Sequence, residues 1–210
     1  MSGDPYCYPR TNVLRNRFGI ENEEELKAIE ARIAAIALFA LEDEPLHGPM
    51  DEERLKATHH AIFGDMYEWA GAYRENVGTM TKGRNLGYQV TYGNSTFVPG
   101  EMRRIFDELA YEDYLCGLNR ERFAAQLAYF YSELDSTHPF REGNSRTLRQ
   151  FTADLALAAG YELDWESTGA TEESRNGLYT ARDFAFTQGD RTRLERIILE
   201  NLRPLQPERY

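Results

Sequence analysis

The chain has 210 residues, 41% of them hydrophobic and 28% charged, with a formal net charge of −11. That length is enough for one full-size domain with a sizeable core, and that mixture belongs to a soluble globular protein rather than a disordered or fibrous one. The acidic balance argues against nucleic-acid binding, which needs a basic face, and no apolar run approaches the roughly 20 residues of a membrane span.

The opening MSGDPYCYPR carries Asp4 and no apolar core, so no signal peptide is expected. Cys7 and Cys116 lie far apart and read as free thiols in a reducing cytoplasm, the expected compartment. Neither a repeat nor a linker divides the chain, so residues 1–210 are expected to form one domain.

The spacing predicts a helix over 23–41, with Leu26, Ile29, Ile33, Ile36, Ala37 and Ala40 on one side. Asp51 reads as the cap of a second, carrying Leu55, His59, Ile62, Phe63 and Met66. Residues 80–99 break the pattern: Leu86, Tyr88, Val90 and Tyr92 alternate as in a strand, and Gly93-Asn94 suits a two-residue hairpin turn. Such a hairpin in a helical chain has an open edge able to pair with an extended segment of a partner. Helices follow over about 101–115 and about 120–134. The latter must stop near His138, because Pro139 removes a donor and disfavours helix in the residue before it. A fifth runs from Asn144 through Leu148, Phe151 and Leu155 to Gly160, and a last from about 190 to 202, before Pro204. The fold class is therefore all-α, a helical bundle with a β-hairpin flap.

One stretch does not read as scaffold: HPFREGNSRTLR, residues 138–149. His138 has an ordinary pKa near 6.5, suited to a general base. Glu142 is a hard oxygen ligand of the kind Mg²⁺ accepts beside substrate phosphates. Gly143 and Asn144 sit where a turn meets a helix N-terminus, whose N–H groups and dipole attract anions. Arg146 and Arg149, three apart, share one face of the first turn and suit phosphate oxygens. Cations there oppose the helix dipole, which makes sense if a polyanion lies in front of them. Base, metal ligand, anion nest and arginines together suit attack on a nucleotide phosphate. His59-His60 could suggest a metal, but Zn²⁺ needs three or four converging ligands, so packing or solvent is expected for both. Neither a Walker A loop nor a dinucleotide-binding glycine motif is present.

HPFREGNSRTLR resembles the signature of the Fic-domain family, His-Pro-Phe-x-(Asp/Glu)-Gly-Asn-Gly-Arg-x-x-Arg, with eight fixed positions matched. DPYCYPRTNVLRNRFGI (4–20) and IFGDMYEWAGAYRE (62–75) resemble the family's N-terminal segment and the approach to its flap. Lys82-Gly83 and Thr96-Phe97-Val98-Pro99 resemble the two ends of that flap. The resemblance implies a Fic fold and a protein adenylyltransferase that moves AMP from ATP to a Ser, Thr or Tyr hydroxyl. By it, His138 takes the hydroxyl proton and Glu142 holds Mg²⁺. Gly143, Asn144 and Ser145 line the anion hole, Arg146 and Arg149 grip the β- and γ-phosphates, and Phe140 fixes the loop. Lys82 and Gly83 join the nucleotide site, and the flap (88–98) holds the target by strand addition. Ser145 departs from the pattern, which has glycine there.

Many members carry a self-inhibitory Ser/Thr-x-x-x-Glu-Gly/Asn helix. TGATEE (168–173) and RIILEN (196–201) are both imperfect copies. The chain therefore resembles the toxin subgroup inhibited by a separate small antitoxin that supplies the glutamate in trans, with a bacterial type II topoisomerase as the expected target. The same residues leave two alternatives: transfer of UMP, phosphocholine or phosphate on the same fold, or a non-catalytic nucleotide-binding module.

Overall fold

A computed structural model describes residues 4–83 and 89–205. The first helix, α1 (Glu23–Asp43), starts where Asn22 accepts the Glu25 N–H, and three glutamates in its first turn suit the helix dipole. α2 (Glu52–Phe63) starts at Asp51 as the sequence predicts, with the carboxylate accepting the Arg54 N–H. β1 (Met80–Gly83) pairs antiparallel with β2 (Gln89–Tyr92), Met80 opposite Tyr92 and Gly83 opposite Gln89. Val90 and Tyr92 point inward while Gln89 and Thr91 are exposed, which is the predicted alternation. Its other members, Leu86 and Tyr88, lie outside the described residues.

Gly93-Asn94 is not the hairpin turn. Asn94 has φ −61° and its side chain accepts the Thr96 N–H, capping a short 3₁₀ turn over Ser95–Phe97. Either primed turn needs positive φ at its first central residue, and Gly93 is not among the glycines with positive φ. The chain then enters α3 (Val98–Tyr111), three residues before the expected start, because Pro99 fits the first helical turn, where no N–H is required.

α4 (Arg120–Thr137) is the central helix, packing against α3, α5 (Asn144–Ala158), α6 (Glu172–Gln188) and α7 (Thr192–Asn201). Phe123, Leu127, Phe130, Tyr131 and Leu134 of α4 lie in one core with Leu148, Phe151 and Leu155 of α5 and Ile105 and Leu109 of α3. Two short strands, β3 (Tyr161–Leu163) and β4 (Leu202–Pro204), pair antiparallel and close the C-terminal end. A second cluster joins Cys7, Val13 and Leu14 to α1 and to Ile62, Phe63, Met66 and Tyr67. The α2 helix spans both clusters, since its Leu55 belongs to the first.

α6 has no counterpart among the predicted helices. Its core-facing positions, Leu178, Ala181 and Ala185, are too small and sparse to stand out as an apolar stripe. The end signals are nevertheless present. Thr171 and Ser174 exchange backbone and side-chain hydrogen bonds as a capping box, and Gly189 closes the helix at φ +68°.

Candidate active site

The signature loop lies between the C-terminus of α4 and the N-terminus of α5. His138 ends α4 in the left-handed region, φ 49° and ψ 62°, with its N–H still donating to Leu134 O. Pro139 prevents the helix from continuing. The imidazole is buried and stacked against Tyr92 of β2, with ring centroids 3.9 Å apart and planes 16° apart. Phe140 is fully buried and stacks on His59 at 3.9 Å, so it anchors the loop as expected.

Asn144 clasps the loop: its Oδ1 accepts the Phe140 N–H at 2.9 Å and its Nδ2 donates to Phe140 O at 2.8 Å. The side-chain amide is therefore engaged in holding the loop's shape, and the backbone N–H at the helix start is the group placed to serve an anion. Gly143, the residue before α5, has φ +80°, and no side chain caps the helix start. The first N–H groups of α5 also lack intrahelical partners by construction, which leaves an anion-attracting end.

A cavity of about 240 Å³ lies over this end, lined by Lys82, Gly83, His138, Glu142, Asn144, Ser145, Tyr179 and Arg182. Lys82 Nζ stands 3.3 Å from Glu142 Oε2, and the Glu142 side chain is 32% exposed. Burial would raise the Glu142 carboxyl, but the Lys82 ammonium, the Gly143 N–H and the Arg146 guanidinium outweigh it and hold the pKa below its usual value. The carboxylate is thus ionised and presented to the cavity. Among the described residues no three His, Cys, Asp or Glu side chains gather. A lone carboxylate suits Mg²⁺ sharing its ligands with phosphates, and does not suit Zn²⁺.

Arg146 and Arg149 do share one face, but they line a different groove, of about 550 Å³, between α1, α5 and β3. Arg146 Nη2 pairs with Glu30 Oε1 of α1 at 2.5 Å, and its guanidinium lies 4.6 Å over the Phe63 ring. Glu30 also accepts the Tyr67 hydroxyl. Arg149 Nε donates to Ser145 O. The structure therefore brings six of the nine expected residues to the cavity wall, with Gly143 between two of them in the chain, and turns these two arginines to the neighbouring groove.

Tyr179 and Arg182 were not legible as site residues because the helix carrying them was not. Arg182 is 5% exposed and Asp135 2%. The guanidinium forks onto Asp135, with Nε donating to Oδ2 at 3.0 Å and Nη2 to Oδ1 at 2.5 Å, while Nη1 donates to Ser145 Oγ at 3.2 Å. Ser145, the departure from the signature, is thus engaged by α6. His59 is no metal ligand: its Nδ1 accepts the Gly71 N–H at 2.8 Å, so Nε2 carries the proton and donates to Glu142 O at 3.0 Å. His60 contacts Ala70 O.

The Fic/DOC family profile matches residues 49–156, which include the whole signature loop. The chain is 36% identical over 177 residues to the protein adenylyltransferase VbhT of Bartonella schoenbuchensis, covering 84% of this chain but only 36% of that protein. It is 39% identical over 163 residues to the "probable protein adenylyltransferase y4lH" of Sinorhizobium fredii, covering 77% and 79% of the two chains. The N-terminal Fic domain of a VirB-translocated Bep effector from Bartonella quintana, solved with bound ADP, superposes with TM-score 0.82 at 27% identity, over 96% of this chain and 95% of that one. With eight fixed signature positions present and the loop between α4 and α5 built as described, the chain belongs to the Fic/DOC family.

Proposed function

We propose that this chain is a protein adenylyltransferase that moves AMP from ATP onto a hydroxyl side chain of a target protein. The observation that carries the reading is the convergence of His138, Glu142 and the uncapped start of α5 on one cavity. The names of VbhT and y4lH support it, as does the ADP held by the Bartonella quintana domain. His138 takes the proton of the target hydroxyl as its oxygen forms a bond to the α-phosphorus. The bond from that phosphorus to the pyrophosphate oxygen breaks, and pyrophosphate leaves with the electron pair. Backbone N–H groups at Asn144 and Ser145 stabilise the charge on the reacting phosphate, while the Gly143 N–H, which donates to Glu142 Oε1, joins them only when Glu142 turns to Mg²⁺. Glu142 would hold Mg²⁺, which neutralises phosphate charge when bound. Lys82 and Gly83 close the cavity from the flap.

The target segment adds as a strand beside the flap. Arg146 and Arg149 serve the β- and γ-phosphates if the triphosphate tail reaches their groove. Among the described residues Arg149 pairs with no carboxylate, so a glutamate from a small antitoxin would be received there. The resemblance carries the rest of this reading: the toxin subgroup, the cytoplasm as compartment and a type II topoisomerase as the first target to assay. Residues 1–210 would act as one Fic unit.

The test is transfer from labelled ATP into protein. Label from the α-position and not the γ-position is expected, and His138→Ala should abolish it. Label from the γ-position would instead mean phosphorylation, and none from either would favour another donor or a binding module.

A further inference from the structure

Arg74, in the connection between α2 and β1, is 1% exposed, yet among the described residues no carboxylate pairs with it. Its side-chain hydrogen bonds to the described residues go to carbonyl oxygens. Nε donates to His138 O at 2.8 Å and Nη2 to Gly93 O at 2.7 Å. Longer contacts reach Thr137 O at 3.4 Å and Gly78 O at 3.5 Å. Its backbone N–H donates to Pro139 O at 2.8 Å.

A buried cation is costly to desolvate, so its retention calls for a reason in these partners. They belong to two structures. Thr137, His138 and Pro139 are the end of α4, where a cation complements the dipole and the terminal carbonyls. Gly78 and Gly93 flank β1 and β2, so they are the two roots of the flap. The Gly93 carbonyl also directly follows Tyr92, whose ring stacks on the His138 imidazole. One guanidinium fixes the main chain of His138 and the strand that supplies the ring lying on it. A rigid planar fork can span these acceptors, whereas a lysine ammonium is a point charge.

We propose that Arg74 is a positioning residue that locks the flap and His138 into one unit, so that seating a target on the flap and orienting the base are a single event. The inference rests on the adenylyltransferase reading of His138. Arg74 is not among the residues that line the nucleotide cavity.

Arg74→Lys should bind ADP within about twofold of the parent while transfer turnover falls about 100-fold, the expected cost of a small misplacement. Backbone amides of β1 and β2 should exchange faster with solvent. Turnover within about threefold of the parent, or a loss of ADP affinity as large as the loss of turnover, would overturn the role. If Arg74→Lys does not fold, hydrogen exchange on the parent protein decides. The Arg74 Nε–H and the Tyr92 N–H should open together, and far more slowly than the Nε–H of exposed Arg32. Independent opening of the two would overturn the coupling. A parent protein without α-phosphate transfer would count against the adenylyltransferase reading instead, while the exchange comparison would still judge Arg74.

Discussion

Gly143 has little conformational alternative. A Cβ built on it would lie 2.3 Å from Phe63 Cε2, and its φ of +80° is strained for any other residue. Gly143→Ala should therefore cost about 3 kcal/mol or more, combining overpacking with backbone strain, read as a lower denaturation midpoint. His59 gives a second test. Desolvation by burial lowers its pKa from 6.5 to about 4 despite the hydrogen bond to Glu142 O, and Arg146 adds to the lowering. The unfolded chain thus takes up a proton at this position between those values and the folded protein does not. Stability is full above pH 6.5 and declines as pH falls toward 4, by roughly 3 kcal/mol from this group. Denaturation measured from pH 7 to 4 in metal-free buffer should show that slope, and His59→Gln should flatten it. A parallel decline in both proteins would assign the loss to carboxylates alone.

Helix ends set by strong local chemistry were readable: Asp51, Pro139 and the Gly143-Asn144 turn fall where the structure has them. The signature loop was legible because its residue types are both local and unusual. What was not legible depends on contacts distant in sequence. The turn of Arg146 toward Glu30 is set by α1, 116 residues away, and periodicity cannot register it. α6 escaped because small residues suffice where a helix packs closely, and with it went Tyr179 and Arg182. Arg182 bears on Ser145. The hydroxyl there accepts a guanidinium N–H that a glycine would leave without that acceptor. Ser145→Gly should lower stability by about 1 kcal/mol for the lost hydrogen bond and change transfer by less than about tenfold, or 1.4 kcal/mol of barrier. A many-fold faster enzyme made from a nearly inert parent would show that the serine obstructs the phosphate rather than supporting the turn.

The N-terminal segment and α1 are tied to the loop by charge as well as by packing. Asp4 Oδ2 receives Arg141 Nε at 2.8 Å and Nη2 at 2.6 Å, Glu30 receives Arg146, and α2 contributes to both hydrophobic clusters. Through these ties the chain should unfold as one unit, and a ligand at the loop should stabilise all of it. ADP at about 100 times its Kd should add about 2.7 kcal/mol, a rise in Tm of about 5–10 °C for a chain this long. Calorimetry should give one transition whose calorimetric and van't Hoff enthalpies agree, shifted as a whole by the nucleotide. His138→Ala should keep most of that shift, because the role proposed for His138 is on the target hydroxyl rather than on the phosphates. Two transitions, with only one moved by ADP, would mean that the N-terminal cluster folds independently and that Asp4 and Glu30 merely rest against the site.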